Sequence, residues 1–155
     1  MELTKQIAKH FREVHNGGNW TAVSLKDALD GITWEQATTK VHNLNTIAML
    51  VFHINYYISA VLKVFRGEPL NAHDKYSFAV SPIHSADDWN KLIKKAFDEA
   101  ELLAAEIEKM DEAKLFENLA DPKYGNYYRN IHGIIEHTHY HTGQISLIKK
   151  ILNEK

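Results

Sequence analysis

Residues 46–65 form a nearly continuous apolar run, and that run restricts the fold more than any other stretch of the chain. Its length would span a bilayer. It also carries His53, Asn55, Ser59 and Lys63, with Tyr56 and Tyr57 in the middle, and these are costly in lipid. No other segment is apolar enough to join it as a second span. A helix apolar around most of its circumference is therefore expected inside a bundle of other helices.

The rest of the sequence supplies those helices. No strand-period alternation is sustained anywhere. A first helix is expected over residues 3–14, with Leu3, Ile7, Phe11 and Val14 on one stripe and Asn16-Gly17-Gly18-Asn19 as its stop. Ser24 and Thr33 then read as N-caps of two short helices, over residues 25–29 and 34–39. The second long helix runs from about residue 45 to 66, ended by Gly67-Glu68-Pro69, and residues 70–83 read as a long loop. Ser85, with Asp88 three residues on, opens a third helix in a capping-box-like arrangement. Trp89, Leu92, Ile93, Ala96, Phe97, Ala100, Leu103, Ala104, Ile107 and Met110 mark its apolar face. A fourth helix is expected to start near Tyr128 or Asn130, after a loop over residues 121–126, and to reach the C-terminus. The expectation is one all-α domain over residues 1–155: four long helices with a short-helix insert between the first and second.

Composition narrows the function classes. The formal net charge is −2, so there is no basic field for nucleic acid. The N-terminal residues carry no apolar signal core, and the expected setting is the cytoplasm, away from membranes. Cysteine is absent, which removes disulfides, thiolate metal sites and a cysteine nucleophile. Any transition-metal site must then use nitrogen and oxygen donors, and ten histidines provide the nitrogen.

Three of those histidines fall in His137-Thr138-His139-Tyr140-His141-Thr142-Gly143-Gln144. His137 and His141 stand four apart, about 40° of arc from one another on a helix. At about 100° per residue, His141 lies in the stripe of Ile134, Ile145, Ile148 and Leu152, and His137 lies on its flank beside Gln144. His139, His132 and Glu136 project more than a quarter-turn away. Two readings of the inward pair stay open: hydrogen-bonded core histidines, or half of a metal site. His53 favours the metal, because an imidazole among Met49, Leu50, Phe52, Ile54, Tyr56 and Tyr57 costs about a few kcal/mol unless it is paired. His42, just before the second helix, reads as a loop residue.

Other chemistries lack their residues. Thr138 stands where the glutamate of a His-Glu-x-x-His protease would be. There is no strand-turn-helix serine site and no phosphate-cradling glycine loop. Tyr124, Tyr127 and Tyr128 beside Lys123 and Arg129 make too short a basic-aromatic patch for nucleic acid.

His53 on the second helix, with His137-x-x-x-His141-x-Gly143-Gln144 on the fourth, resembles the DinB-like (YfiT-type) superfamily. The similarity includes Gly18-Asn19-Trp20 through Trp34-Glu35-Gln36 and the segment His53-Ile54-Asn55-Tyr56-Tyr57. It implies a four-helix bundle with up-up-down-down connectivity and a divalent metal held by His53, His137 and His141. It also implies pairing into a homodimer. Gln144 matches the family's glutamine, either orienting a ligating imidazole or standing as a polar residue at the bundle edge. His139 is extra to that motif. Members of known activity include transferases and isomerases that use low-molecular-weight thiols.

Three imidazoles leave an open coordination position, as catalytic sites do. The expected function is a metal-dependent hydrolase or a thiol S-transferase acting on a small molecule. Its expected cofactors are zinc or nickel and, for the transferase, a low-molecular-weight thiol cosubstrate. The competing expectation is a non-catalytic, stress-associated bundle whose metal only ties two helices together. The general base is not identified. Tyr57 and Trp20 are candidates for shaping a pocket, and core packing is the other reading of both.

Overall fold

The computed structural model describes residues 2–154, and these are all-helical, with no β-strand among them. Four long helices, α1 (Leu3–Asn16), α4 (Ile47–Phe65), α5 (Ala86–Lys109) and α6 (Tyr127–Asn153), make the body. Two short ones, α2 (Leu25–Leu29) and α3 (Trp34–Thr38), occupy the connection between α1 and α4. Helix α5 packs against both α1 and α4, and α6 packs against α4 and α2.

The helix ends follow local chemistry. Ser24 and Thr33 both close full capping boxes, with Asp27 and Gln36 reaching back to the cap backbone. At the start of α5 the Ser85 side chain accepts from Asp88 N–H, but the Asp88 carboxylate reaches one residue further back, to His84 N–H. Two starts differ from the sequence-based expectation. Helix α4 begins at Ile47 because the Thr46 hydroxyl caps Met49 N–H. Helix α6 begins at Tyr127 because Asn126 caps Arg129 N–H. Asn side chains serve caps well, and Asn126 was read only as part of a loop.

The core runs through the middle of all four long helices. Phe11, Ile54, Ile58, Leu103, Ile107, Ile131 and Ile145 are fully enclosed. Each such side chain contributes about 1.5–3 kcal/mol by leaving water. Helix α4 is long and apolar enough to cross a membrane, but most of it is buried against the other helices. The Trp89 indole N–H donates to the Ile32 carbonyl at 3.1 Å, tying α5 to the insert.

Residues 70–83 form an anchored strap rather than a free loop. A 3-10 turn at Asp74–Tyr76 interrupts it. The Tyr56 hydroxyl both donates to His73 O and accepts from His73 N–H, and the Tyr57 hydroxyl donates to Asp74 Oδ1 at 2.6 Å. Two adjacent tyrosines on α4 thereby hold the strap beside the histidines.

Candidate metal centre

His53 comes from the middle of α4, and His137 and His141 from successive turns of α6. The packing of α4 on α6 brings their rings together. His137 Nε2 lies 3.0 Å from His53 Nε2 and 3.1 Å from His141 Nε2. One nitrogen of each of the three rings lies within 4.8 Å of the others. Two nitrogens bonded to one zinc ion at 2.0–2.1 Å in tetrahedral geometry stand about 3.3 Å apart. The His137–His53 and His137–His141 spacings are close to that edge.

The outer nitrogens set the tautomers. His53 Nδ1–H donates to the Ser77 carbonyl at 3.2 Å, since a carbonyl can only accept. His141 Nδ1–H donates to Gln144 Oε1 at 2.6 Å, and the Gln144 amide nitrogen donates in turn to the Tyr140 hydroxyl. Both rings therefore present a bare Nε2 lone pair toward His137. A single N–H on His137 Nε2 could serve only one of them well, leaving the other lone pair unsatisfied. A cation bound by His53, His137 and His141 would satisfy all three nitrogens at once. His137 Nδ1 is buried and has no protein partner.

Burial holds the site neutral. Desolvation, with the neighbouring His141 and His53 adding to it, pushes His137 down to about 4. Desolvation also lowers His53, against the pull of its bond to Ser77, and lowers His141, against its bond to Gln144. All three are unprotonated at neutral pH, the state in which imidazole binds a metal.

Aromatic rings enclose two sides. Phe78 from the strap stacks on His53 with centroids 3.8 Å apart and planes 8° from parallel. Tyr57 stands edge-on to both His53 and His137. The remaining side opens on a groove of about 1520 Å³ between α4, α6, the strap and the residues before α6. Three neutral imidazoles in this arrangement fit a divalent transition metal.

The other residues singled out from the sequence divide clearly. Gln144 orients His141, and Tyr57 lines the groove. Trp20 does not: it is 97% exposed in the turn after α1 and touches no part of the groove wall. The short links from α1 to α2 leave it outside the packed helices. His139 is half-buried and outside the cluster, and His42 is exposed at φ +47°. Glu136 is exposed, as its helical projection requires, yet it reaches the groove rim, because the groove wraps around more than one face of α6. Ser77, Phe78 and Asp74 were not anticipated. They sit 21 or more residues along the chain from every histidine of the cluster, and only the strap's return path brings them in.

An all-helical chain that gathers three neutral imidazoles from two helices at a groove wall has the geometry of a metal-binding helical protein. A family model described as the DinB superfamily matches residues 18–145, and the chain belongs to that superfamily. Comparison with curated proteins and with solved structures gave no match.

Proposed function

We propose that this protein is a metal-dependent enzyme that acts on a small molecule, and that within that class it is a thiol S-transferase rather than a hydrolase. The long helices are read as the superfamily's up-up-down-down bundle. His53, His137 and His141 would hold the cation, zinc or nickel by the all-imidazole donor set. When bound, such a cation supplies Lewis acidity that acidifies a thiol or a water.

The observation that carries the reading is the three Nε2 atoms facing one another in the wall of an open groove. A metal that only tied helices together would be closed by a fourth protein ligand. Groove size supports the transferase over the hydrolase. Small-molecule pockets commonly enclose about 300–1,000 Å³. The groove exceeds that range and has room for a cosubstrate beside a substrate. The chain has no cysteine, so the thiol must enter as that cosubstrate.

In the transfer, the thiol loses its proton, a sulfur–carbon bond forms, and the leaving group departs with the electrons of the broken bond. Asp74 and Glu136 are the carboxylates on the groove wall. Asp74 is fixed by the Tyr57 hydroxyl and so is the better-placed proton acceptor.

Elemental analysis of protein purified without a histidine tag tests the centre, with His53, His137 and His141 replaced by alanine together. The expected result is one divalent metal per chain in the wild type and none in the variant. Stoichiometric metal in the variant overturns the ligand set. Turnover of thiol cosubstrates with small electrophiles, against ester hydrolysis without thiol, then tests the reaction. Hydrolysis without thiol dependence overturns the transferase reading.

A further inference from the structure

The groove extends well beyond the histidines, along α6 to its first turn, where Arg129 lies. Its guanidinium has no hydrogen-bond acceptor and no ion-pair partner among the described residues. Of the chain's three arginines, Arg12 is by contrast engaged by Glu101 and Glu108. Arg129 is exposed, and its stem runs past Gly125. Its Cδ lies 2.7 Å from where a Cβ on Gly125 would stand, so the stem packs into the space that this glycine leaves. Gly125 is also at φ +81°, a region side chains other than glycine's disfavour. The glycine serves the turn and the arginine together.

Gly133 lies midway between Arg129 and His137, four residues from each, and it too lines the groove. A glycine inside a 27-residue helix opposes helix formation. Neither of the usual reasons for one applies here. Its φ is not positive, and a Cβ added at Gly133 would meet no atom within 4 Å. The space a side chain would take is groove. At Gly133 the wall is open between the imidazole cluster at one end and the Arg129 guanidinium at the other, with Asn130, His132, Ile134 and Glu136 also lining that stretch. The two ends are separated by eight residues of helix, a rise of about 12 Å.

Resting on the metal-centre reading above, we infer that the groove takes an elongated anionic small molecule. Its reactive atom lies at the histidines, its middle crosses Gly133, and its carboxylate or phosphate is bound by Arg129. A guanidinium suits either oxyanion, because its forked donors match two oxygens at once. Arg129 here is a specificity residue for the far end of the substrate and has no part in the chemistry.

The test uses the metal-loaded protein with mercaptooctanoate and mercaptooctanol, probes equal in length and differing in charge at the end away from sulfur. Calorimetric titration is expected to show the acid binding about tenfold tighter than the alcohol. Arg129→Gln should erase that preference. Gly133→Leu should weaken both probes while leaving metal content and helicity unchanged. Equal binding of acid and alcohol to the wild type, or an acid preference that survives Arg129→Gln, overturns the inference. Unchanged affinity in Gly133→Leu overturns the assigned path across the groove. In metal-free protein octanoate and octanol have neither a thiol nor a metal to bind and report the anion end alone. Wild-type protein that takes up no metal but keeps an Arg129-dependent preference for octanoate would sink the metal centre and keep the anion site. Competition by inorganic phosphate against acetate then separates the oxyanions: stronger displacement by phosphate assigns a phosphoryl group, and the reverse assigns a carboxylate.

Discussion

His15 offers a prediction whose size follows from its surroundings. It is 1% exposed on α1, with the Phe11 ring 4.8 Å away and the Phe97 ring edge-on at 6.5 Å. Its Nδ1–H donates to the Phe11 carbonyl, and its Nε2 is buried with no partner. Protonation would place a charge and an unsatisfied N–H in an apolar setting. Burial accordingly pushes this imidazole from 6.5 down to about 4, with only the Phe11 bond opposing. The folded protein thus binds the proton more weakly than the unfolded chain does. Stability from this group is fully present above pH 6.5 and is lost as the pH falls through 6.5 toward 4. With those two values, the loss between pH 8 and pH 5 is about 2 kcal/mol, and the full loss below pH 4 is about 3 kcal/mol. Urea unfolding of wild type and His15→Leu at pH 8 and pH 5, both with chelator so that metal release does not contribute, isolates the effect. The clustered histidines His53, His137 and His141 are common to both proteins and cancel in the comparison. The variant should lose about 2 kcal/mol less than wild type over this range. Parallel losses in the two proteins would refute the reasoning, because burial of His15 would then carry no cost on protonation.

Other expectations concern the site. Gln144→Leu removes the acceptor that orients His141 and should weaken metal binding about 10–100-fold without unfolding the protein, as read by competition with a chromogenic chelator. Metal added at about 100 times its Kd should raise the unfolding free energy by about 2.7 kcal/mol in wild type and leave the triple His→Ala variant unchanged, a difference visible in thermal melts. Tyr57→Phe frees Asp74 and one anchor of the strap, and hydrogen exchange of residues 73–78 should accelerate while exchange in α5 stays the same. Leu103→Ala empties a fully enclosed core position and should cost about 3–5 kcal/mol in chemical denaturation.

How far the sequence could be read depends on the range of the interaction involved. Ser24, Thr33 and Ser85 cap neighbours three residues away, so their helices were visible in the sequence itself. Asn126 obeys the same rule but is masked by Pro122 and Gly125 of the loop around it. The pairing of His137 with His141 is a property of one helix, as is Gln144's place beside them. His53 was legible because an imidazole in an apolar run needs a partner, although the run does not name it. Arg129 reads from the sequence only as part of a short basic-aromatic patch, and nothing local singles out Gly133; the groove wall brings the two together.

The chain's local order determined which segments are helical, which faces are apolar and which imidazoles point inward, because helix periodicity and capping act over one or two turns. The packing of α4 on α6 decided that His53 meets the C-terminal pair. The two tyrosines on α4 decided that the strap closes over them. The same packing left a groove with three facing imidazole nitrogens at one end and the Arg129 guanidinium at the other. Those contacts join residues 17 to 84 positions apart in the chain, a separation that local periodicity does not encode and that only the buried interfaces between helices can select.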